Sequence, residues 1–155
     1  MKIRLQCLLA AVALANCISA HAALGAGPTY AASASASSTQ AVRRMSASAV
    51  PYTVNEATLA DGTLVREYVG QSGVVFAATW HGPHTPDLSS LLGSHFAGYL
   101  DTVNQQHAQR GSAFGPATVQ RSDVVVETGG HMGAYVGRAW VPADLPAGMS
   151  SDDIQ

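Results

Sequence analysis

The sequence has almost no cysteine. Its two cysteines, Cys7 and Cys17, both lie in the first 22 residues. If that segment is removed, the protein has no disulfide, no thiol nucleophile and no cysteine ligand for zinc. A chain without disulfides depends on its core for stability, and residues 51–155 are enough for one domain of ordinary size.

Positive charge is scarce as well. The sequence has eight lysines and arginines against ten acidic residues. Lys2 and Arg4 stand at its start, and the sequence after them contains arginine but no lysine. Nucleic-acid binding needs a basic surface that displaces counterions, and anionic membranes attract basic segments. We therefore expect no nucleic-acid partner and no electrostatic attachment to a membrane.

The first 22 residues have the layout of a secretory signal peptide. Lys2 and Arg4 precede an uncharged apolar run that is too short for a comfortable membrane span, and small residues follow it. We expect cleavage between Ala22 and Ala23, which leaves a periplasmic or secreted protein without a membrane span. The alternatives are an uncleaved membrane anchor and a lipoprotein.

Residues 23–50 consist mainly of alanine and serine, with little that is large enough to form a core. Such a segment buries too little apolar surface to offset its ordering entropy, so we expect a flexible leader before a single domain at 51–155. Arg43 and Arg44 in this leader are either a docking or processing point or simply solvated charge.

The domain begins with three segments that are rich in β-branched and aromatic residues, at 52–59, 64–69 and 74–80. Asp61 and Gly62 supply the tight turn between the first two segments. Because the connections between these three segments are short, the pattern predicts a three-stranded antiparallel meander.

Residues 86–107 change to an apolar repeat of three and four residues, which indicates an amphipathic helix. Two further strand segments, 123–128 and 132–141, flank Gly129 and Gly130, which we expect to form a hairpin turn. The order β-β-β-α-β-β predicts an α+β fold in which one amphipathic helix packs across one face of an antiparallel sheet of about five strands.

Two glycines, Gly133 and Gly137, lie on one face of the last predicted strand. A glycine inside a strand is tolerated where another element approaches closely. The helix has small residues at Gly93 and Ala97, four apart, so we expect the helix and this strand to meet at these glycines.

Three histidines are candidates for chemistry. His81 and His84 flank a turn, and imidazole is a common metal ligand. A third ligand would have to come from Asp87 or His131, and two ligands alone do not make a zinc site, so exposed loop histidines are the simpler interpretation and we expect no cofactor. His131 follows the Gly129 and Gly130 pair, where we expect a polar hairpin edge with Glu127 across from it.

Arg138 alternates with Val136 and Trp140 along the last predicted strand. If that face is covered, Arg138 needs an acidic partner, for which Glu56, Glu67 and Asp144 are available. If it is open, Arg138 and Trp140, joined by Trp80, form a basic and aromatic surface suited to binding. The candidate binding residues are therefore Trp80, His131, Arg138 and Trp140, and we expect no catalytic residue.

Four stretches carry a resemblance: LADGTLVREYV, GVVFAATWHGPHTPDLSSLLGSHF, GGHMGAYVGRAWVPADLPAG and SSDDIQ. Together they resemble a small secreted family of Gram-negative bacteria catalogued as a domain of unknown function, number 2844. The resemblance covers residues 52–155 and the signal peptide, and leaves out the alanine and serine leader. It implies an exported domain and names no catalytic residue.

These observations favour a non-catalytic binding or accessory module of the cell envelope, whose partner is another envelope or secreted protein. The alternative is a small histidine-dependent metal hydrolase that uses His81, His84 and His131. A further alternative is an envelope structural protein, for which an exposed apolar sheet face or edge strand would be the sign.

Overall fold

The computed structural model describes residues 24–30, 36–112 and 115–155. The expected signal peptide, with its cleavage site at Ala22 and Ala23, lies outside the described residues. The helices and strands are β1 (Ala36–Met45), β2 (Pro51–Leu59), β3 (Leu64–Val69), β4 (Val75–Gly82), α1 (Leu88–Leu92), α2 (Phe96–Arg110), β5 (Ala117–Gln120), β6 (Val125–His131) and β7 (Ala134–Trp140).

The strands form one antiparallel sheet in the order β1-β2-β3-β4-β7-β6-β5. The α+β class and the antiparallel sheet are confirmed. The expected number of five strands is wrong, because the described residues form seven. The two additional strands are β1 and β5. β5 alternates buried Ala117 and Val119 with exposed neighbours, but its four residues are too few to stand out as a pattern.

The expectation of a flexible leader at residues 23–50 is wrong for the part that the structure describes. Residues 36–45, inside the segment expected to be flexible, pair with β2 along almost the whole of its length. Nine of the ten residues of β1 are exposed, so the strand gains its order from the backbone ladder and buries little side-chain surface. Hydrophobic patterning therefore does not reveal it.

Residues 24–30 are packed against the sheet and the helix rather than free. The amide of Leu24 donates to the carbonyl of Leu91 at 3.0 Å, and the amide of Gly25 donates to Val75 at 2.9 Å. Val75 donates in turn to the carbonyl of Ala26. Leu24 is almost fully buried, so this segment contributes to the core.

Glu67 on β3 holds the end of the same segment. Its carboxylate accepts hydrogen bonds from the amides of Thr29 at 2.7 Å and Tyr30 at 3.1 Å. The side chain is buried, and that burial raises the pKa of Glu67 above its usual value. Burial of a carboxylate is tolerated here because two backbone amides satisfy its oxygens.

The two faces of the sheet are covered by different parts of the chain. The helix face packs against α1, α2 and residues 24–30, and its core includes Val65, Trp80, Leu91, Leu92 and Val126. The opposite face packs against residues 142–155, which we call the strap. The core beneath the strap comprises Tyr68, Phe76, Ala77, Trp140 and Ile154, and we call this side of the sheet the strap face.

The helical segment extends from 88 to 110, slightly later than the predicted 86–107. Asp87 is the N-cap, because its carboxylate accepts from the amide of Ser89. Gly93 ends α1 with φ of 52°, and a short 3-10 turn connects it to α2. In the part of the chain that the structure describes, no helix is both long and apolar enough to span a membrane.

The turn between β6 and β7 lies three residues later than predicted. His131 pairs with Ala134, so Met132 and Gly133 form the turn, where Gly133 has φ of 82°. Gly129 and Gly130 lie within β6. A glycine pair is a strong turn signal, but the ladder continues past this one.

The expected contact between the helix and Gly137 is wrong. A Cβ atom on Gly137 would lie 2.2 Å from Cζ2 of Trp80 and 2.9 Å from the carbonyl oxygen of Glu127. Gly133 has open space around it. The element that needs Gly137 is therefore the neighbouring strand β4, whose indole ring lies across the glycine.

Gly137→Ala is expected to lower the free energy of unfolding by about 1–3 kcal/mol, because the new methyl group overlaps the Trp80 ring. Gly129→Ala is the matched control in the neighbouring strand, since a Cβ there makes only an ordinary contact of 3.9 Å with Val136. Urea unfolding measures both variants. Equal stability of Gly137→Ala and the unmodified protein would contradict the contact with Trp80.

Glu67→Gln is expected to change how stability depends on pH. Because the pKa of Glu67 is raised above 4.5 in the folded state, the stabilisation linked to its proton is complete below the unfolded-state pKa. It is lost as pH rises through the raised pKa.

The free energy of unfolding of the unmodified protein, minus that of Glu67→Gln, should therefore fall as pH rises through this range. Urea titrations at a series of pH values measure it, and the other carboxylates cancel in the difference. A difference that grows with pH would mean that the hydrogen bonds from the amides of Thr29 and Tyr30 lower the pKa of Glu67 more than burial raises it.

Candidate functional site

A row of polar side chains crosses the strap face. The strand register aligns Glu56, Arg66, Thr79, Arg138 and Glu127 on β2, β3, β4, β7 and β6. Arg66 donates through Nε to Glu56 at 2.7 Å, and Arg138 donates through Nε to Glu127 at 2.7 Å. Each arginine is thus paired with a glutamate on the strand nearer the sheet edge, and Thr79 lies between the two pairs.

The same two arginines hold the strap. Nη1 of Arg138 donates to the carbonyl of Ser151 at 2.8 Å, and Nη1 of Arg66 lies 3.4 Å from the carbonyl of Gln155. The hydroxyl of Tyr68 donates to that carbonyl and accepts from the amide of Gln155. These side chains recognise peptide backbone, not a particular side chain of the strap.

The strap leaves part of the strap face uncovered, and there a cavity of about 340 Å³ opens. We call this cavity the groove. It forms because Gly129 has no side chain and because the strap reaches only to its border, at Ile154. Val136 is 51% exposed in the groove. The other lining residues include Arg66, Thr79, His81, Glu127 and Arg138.

The groove combines an apolar wall with two ion-paired arginines. Val136 and Ile154 give the apolar part, whereas the guanidinium groups of Arg66 and Arg138 give hydrogen-bond donors. The ion pairs with glutamate fix both guanidinium groups in position. Such a site suits a ligand that has an apolar group and neutral hydrogen-bond acceptors.

The structure separates Trp80 from the other candidate binding residues. Arg138 and Trp140 both lie on the strap face, with the guanidinium carbon 5.3 Å from the centre of the indole ring. Trp80 follows Thr79 on β4 and therefore points to the opposite face, where it is buried in the core of the helix face. It borders the groove only at the floor beside Gly137. The expected surface that joins Trp80 to Arg138 and Trp140 does not form.

The histidines occupy three different places. His131 is exposed at the end of β6, and its Nδ1 lies 3.0 Å from the carbonyl oxygen of Met132. Its expected neighbour Glu127 pairs with Arg138 instead. His81 lines the groove, and His84 lies in the loop after β4. Within the described ranges, no three His, Cys, Asp or Glu side chains are placed to hold a metal ion.

Two features of the molecule were missed from the sequence. Arg66 and Thr79 complete the polar row, but only the strand order brings them beside Arg138. Glu56, one of the expected partners of Arg138, pairs with Arg66 instead, and Arg138 pairs with Glu127. The other feature is Asp123, which lies 3.2 Å from Nδ1 of His95 and 2.9 Å from Nε of Arg121. Its contact with His95, together with that of Arg121, holds the pKa of Asp123 below its usual value and ties the start of α2 to the β5–β6 loop.

The fold and the groove define an α+β protein with a candidate ligand-binding cavity on an antiparallel sheet. The family described as "Protein of unknown function (DUF2844)" matches residues 20–154, and the chain belongs to that family. This confirms the resemblance to domain of unknown function number 2844, and the match also covers residues 23–50, which the resemblance left out. Comparison with curated proteins and with solved structures gave no match.

Ile154→Ala is expected to lower the free energy of unfolding by about 2–5 kcal/mol, because this strap side chain is fully buried against the sheet. Ile154→Val removes one methylene and should cost only about 0.5–1.5 kcal/mol. Thermal or urea unfolding measures both. If both variants are as stable as the unmodified protein, the strap does not pack on this face.

Proposed function

We propose that the protein is an exported, non-catalytic binding module of the cell envelope, and that its ligand or partner binds in the groove. The observation that carries the proposal is the cavity of about 340 Å³ with Arg66 and Arg138 on its floor. Because both guanidinium groups are already oriented by glutamates, binding costs little reorganisation.

The charge of the groove limits what it binds. Both arginines are ion-paired, Arg138 with Glu127 in the groove lining and Arg66 with Glu56 outside it, so the site does not select a strongly charged ligand. Arg138 already donates to a backbone carbonyl oxygen of the strap, at Ser151. A neutral ligand with carbonyl groups and an apolar group beside Val136 fits this chemistry, and its binding should depend only weakly on salt.

The histidines of the hydrolase alternative are not gathered at the groove. His131 is exposed at the end of β6, where its Nδ1 contacts the carbonyl oxygen of Met132. Of the three histidines in the hydrolase alternative, His81 alone lines the groove.

The sheet edges favour a module over a repeating structural role. Strand-to-strand assembly into a polymer needs two open edges. β1 is exposed, but β5 has only four residues. Nε2 of Gln106 donates to the carbonyl of Thr118 at 2.8 Å, and Arg110 donates to the carbonyl of Pro116 at 3.0 Å. Side chains of α2 therefore occupy acceptors at that edge.

Gly129→Leu tests the groove, because a side chain at this position fills it without a backbone clash. A photoreactive side chain in place of Val136 should crosslink one recurrent partner in envelope extracts, and the added Gly129→Leu change should abolish that product. Crosslinking should persist at about 0.5 M salt, where exposed charge pairs are screened.

Thr118→Leu is the matched control, because it adds leucine to an exposed position on the same face outside the groove. It should leave the crosslinked product unchanged. The proposal fails if Gly129→Leu has no effect on the product, or if the purified protein hydrolyses an ester or amide and loses this activity in His81→Ala.

A further inference from the structure

The side chains of two adjacent arginines on β1, Arg43 and Arg44, form no ion pair or hydrogen bond with the residues that the structure describes. The other arginines of the described part are engaged, as Arg66 with Glu56, Arg110 with Pro116, Arg121 with Asp123 and Arg138 with Glu127. β1 itself contains no acidic residue. The unengaged positive charge is therefore concentrated on one exposed edge of a chain whose acids outnumber its bases.

The two arginines point to opposite faces of the sheet, because adjacent strand residues alternate. Arg43 pairs with Thr53 and Arg44 pairs with Tyr52. A cavity of about 460 Å³ lies beside Arg43. A second cavity, of about 440 Å³, lies beside Arg44 on the strap face and is also bordered by Asp152 and Asp153.

Among the described residues, the outer backbone edge of β1 is open to a further strand. β1 has ten residues and no proline, and among the described residues its backbone ladder runs to β2. Two of its apolar side chains are exposed, Val42 at 41% and Met45 at 64%. A long exposed edge of this kind is a template for an additional strand.

We propose that β1 binds an extended segment of a partner protein as an eighth strand, and that this segment carries two adjacent acidic residues. Adjacent side chains of the added strand also point to opposite faces, so one acid meets Arg43 and the next meets Arg44. Main-chain hydrogen bonds supply affinity and the two acids supply selectivity. A second copy of this chain fits less well, since pairing of β1 with β1 brings no acid to either arginine. This surface is separate from the groove.

The test uses three octapeptides of threonine and valine and the purified full chain. The first has two adjacent glutamates at its centre, the second has glutamines there, and the third has two glutamates separated by one residue, which places both on one face. The first should bind about three- to tenfold more tightly than the other two at low salt. It should shift the backbone amide resonances of β1 and not those of the groove residues Gly129 and Val136.

Arg43→Ala with Arg44→Ala should reduce binding of the first peptide to the level of the glutamine peptide, and lysine at both positions should restore most of it. Both residues are exposed, so the variants are expected to fold. Equal binding of the three peptides, or shifts confined to β5 or the groove, would overturn the proposal. Arginine-dependent binding of heparin or anionic lipid vesicles without binding of the peptide would also overturn it, and self-association through β1 would do the same.

Discussion

Residues 75–80 of β4 are all buried, and they are buried from both faces of the sheet. A strand in this position needs cover on each side, and the chain supplies it from two different regions. The helical segment and residues 24–30 cover one face, and the strap covers the other through Ile154. Trp80 fits on the helix face only because its cross-strand neighbour is Gly137. The central strand thus determines where the rest of the chain must lie.

The candidate binding groove is a consequence of this arrangement. The strap is short and covers only part of its face, so the row of Arg66, Thr79 and Arg138 is covered on one side and open on the other. Ion pairs with glutamate hold the arginines while their remaining donors contact backbone carbonyls. The guanidinium groups of these arginines can donate hydrogen bonds to a ligand in the groove in the same way that they donate to the strap. β1 adds a second and differently charged surface at the sheet edge.

Much of the architecture follows from local patterns. β3 begins and ends as predicted, and the helix period and the alternation along β7 are correct. β1 was missed because its order comes from backbone pairing and not from side-chain burial. The expectation of a shared surface for Trp80 and Arg138 is wrong, because alternation along one strand does not reveal the register between β4 and β7 or which residues of the two strands share a face. The groove needed the strand order, which brings Arg66 and Arg138 to either side of Thr79 from strands distant in sequence.

Amide hydrogen exchange tests the central claim most directly. The claim is that the segments packed on the two faces of the sheet, residues 24–30 with the helical segment on one face and the strap on the other, fold together with β4. The informative amides are Leu24, which donates to Leu91, Ile154, which donates to Ser151, and those of β4. The account predicts that all of them exchange through global unfolding, with the same dependence on denaturant. Rapid exchange of the Leu24 or Ile154 amide while β4 stays protected would contradict it.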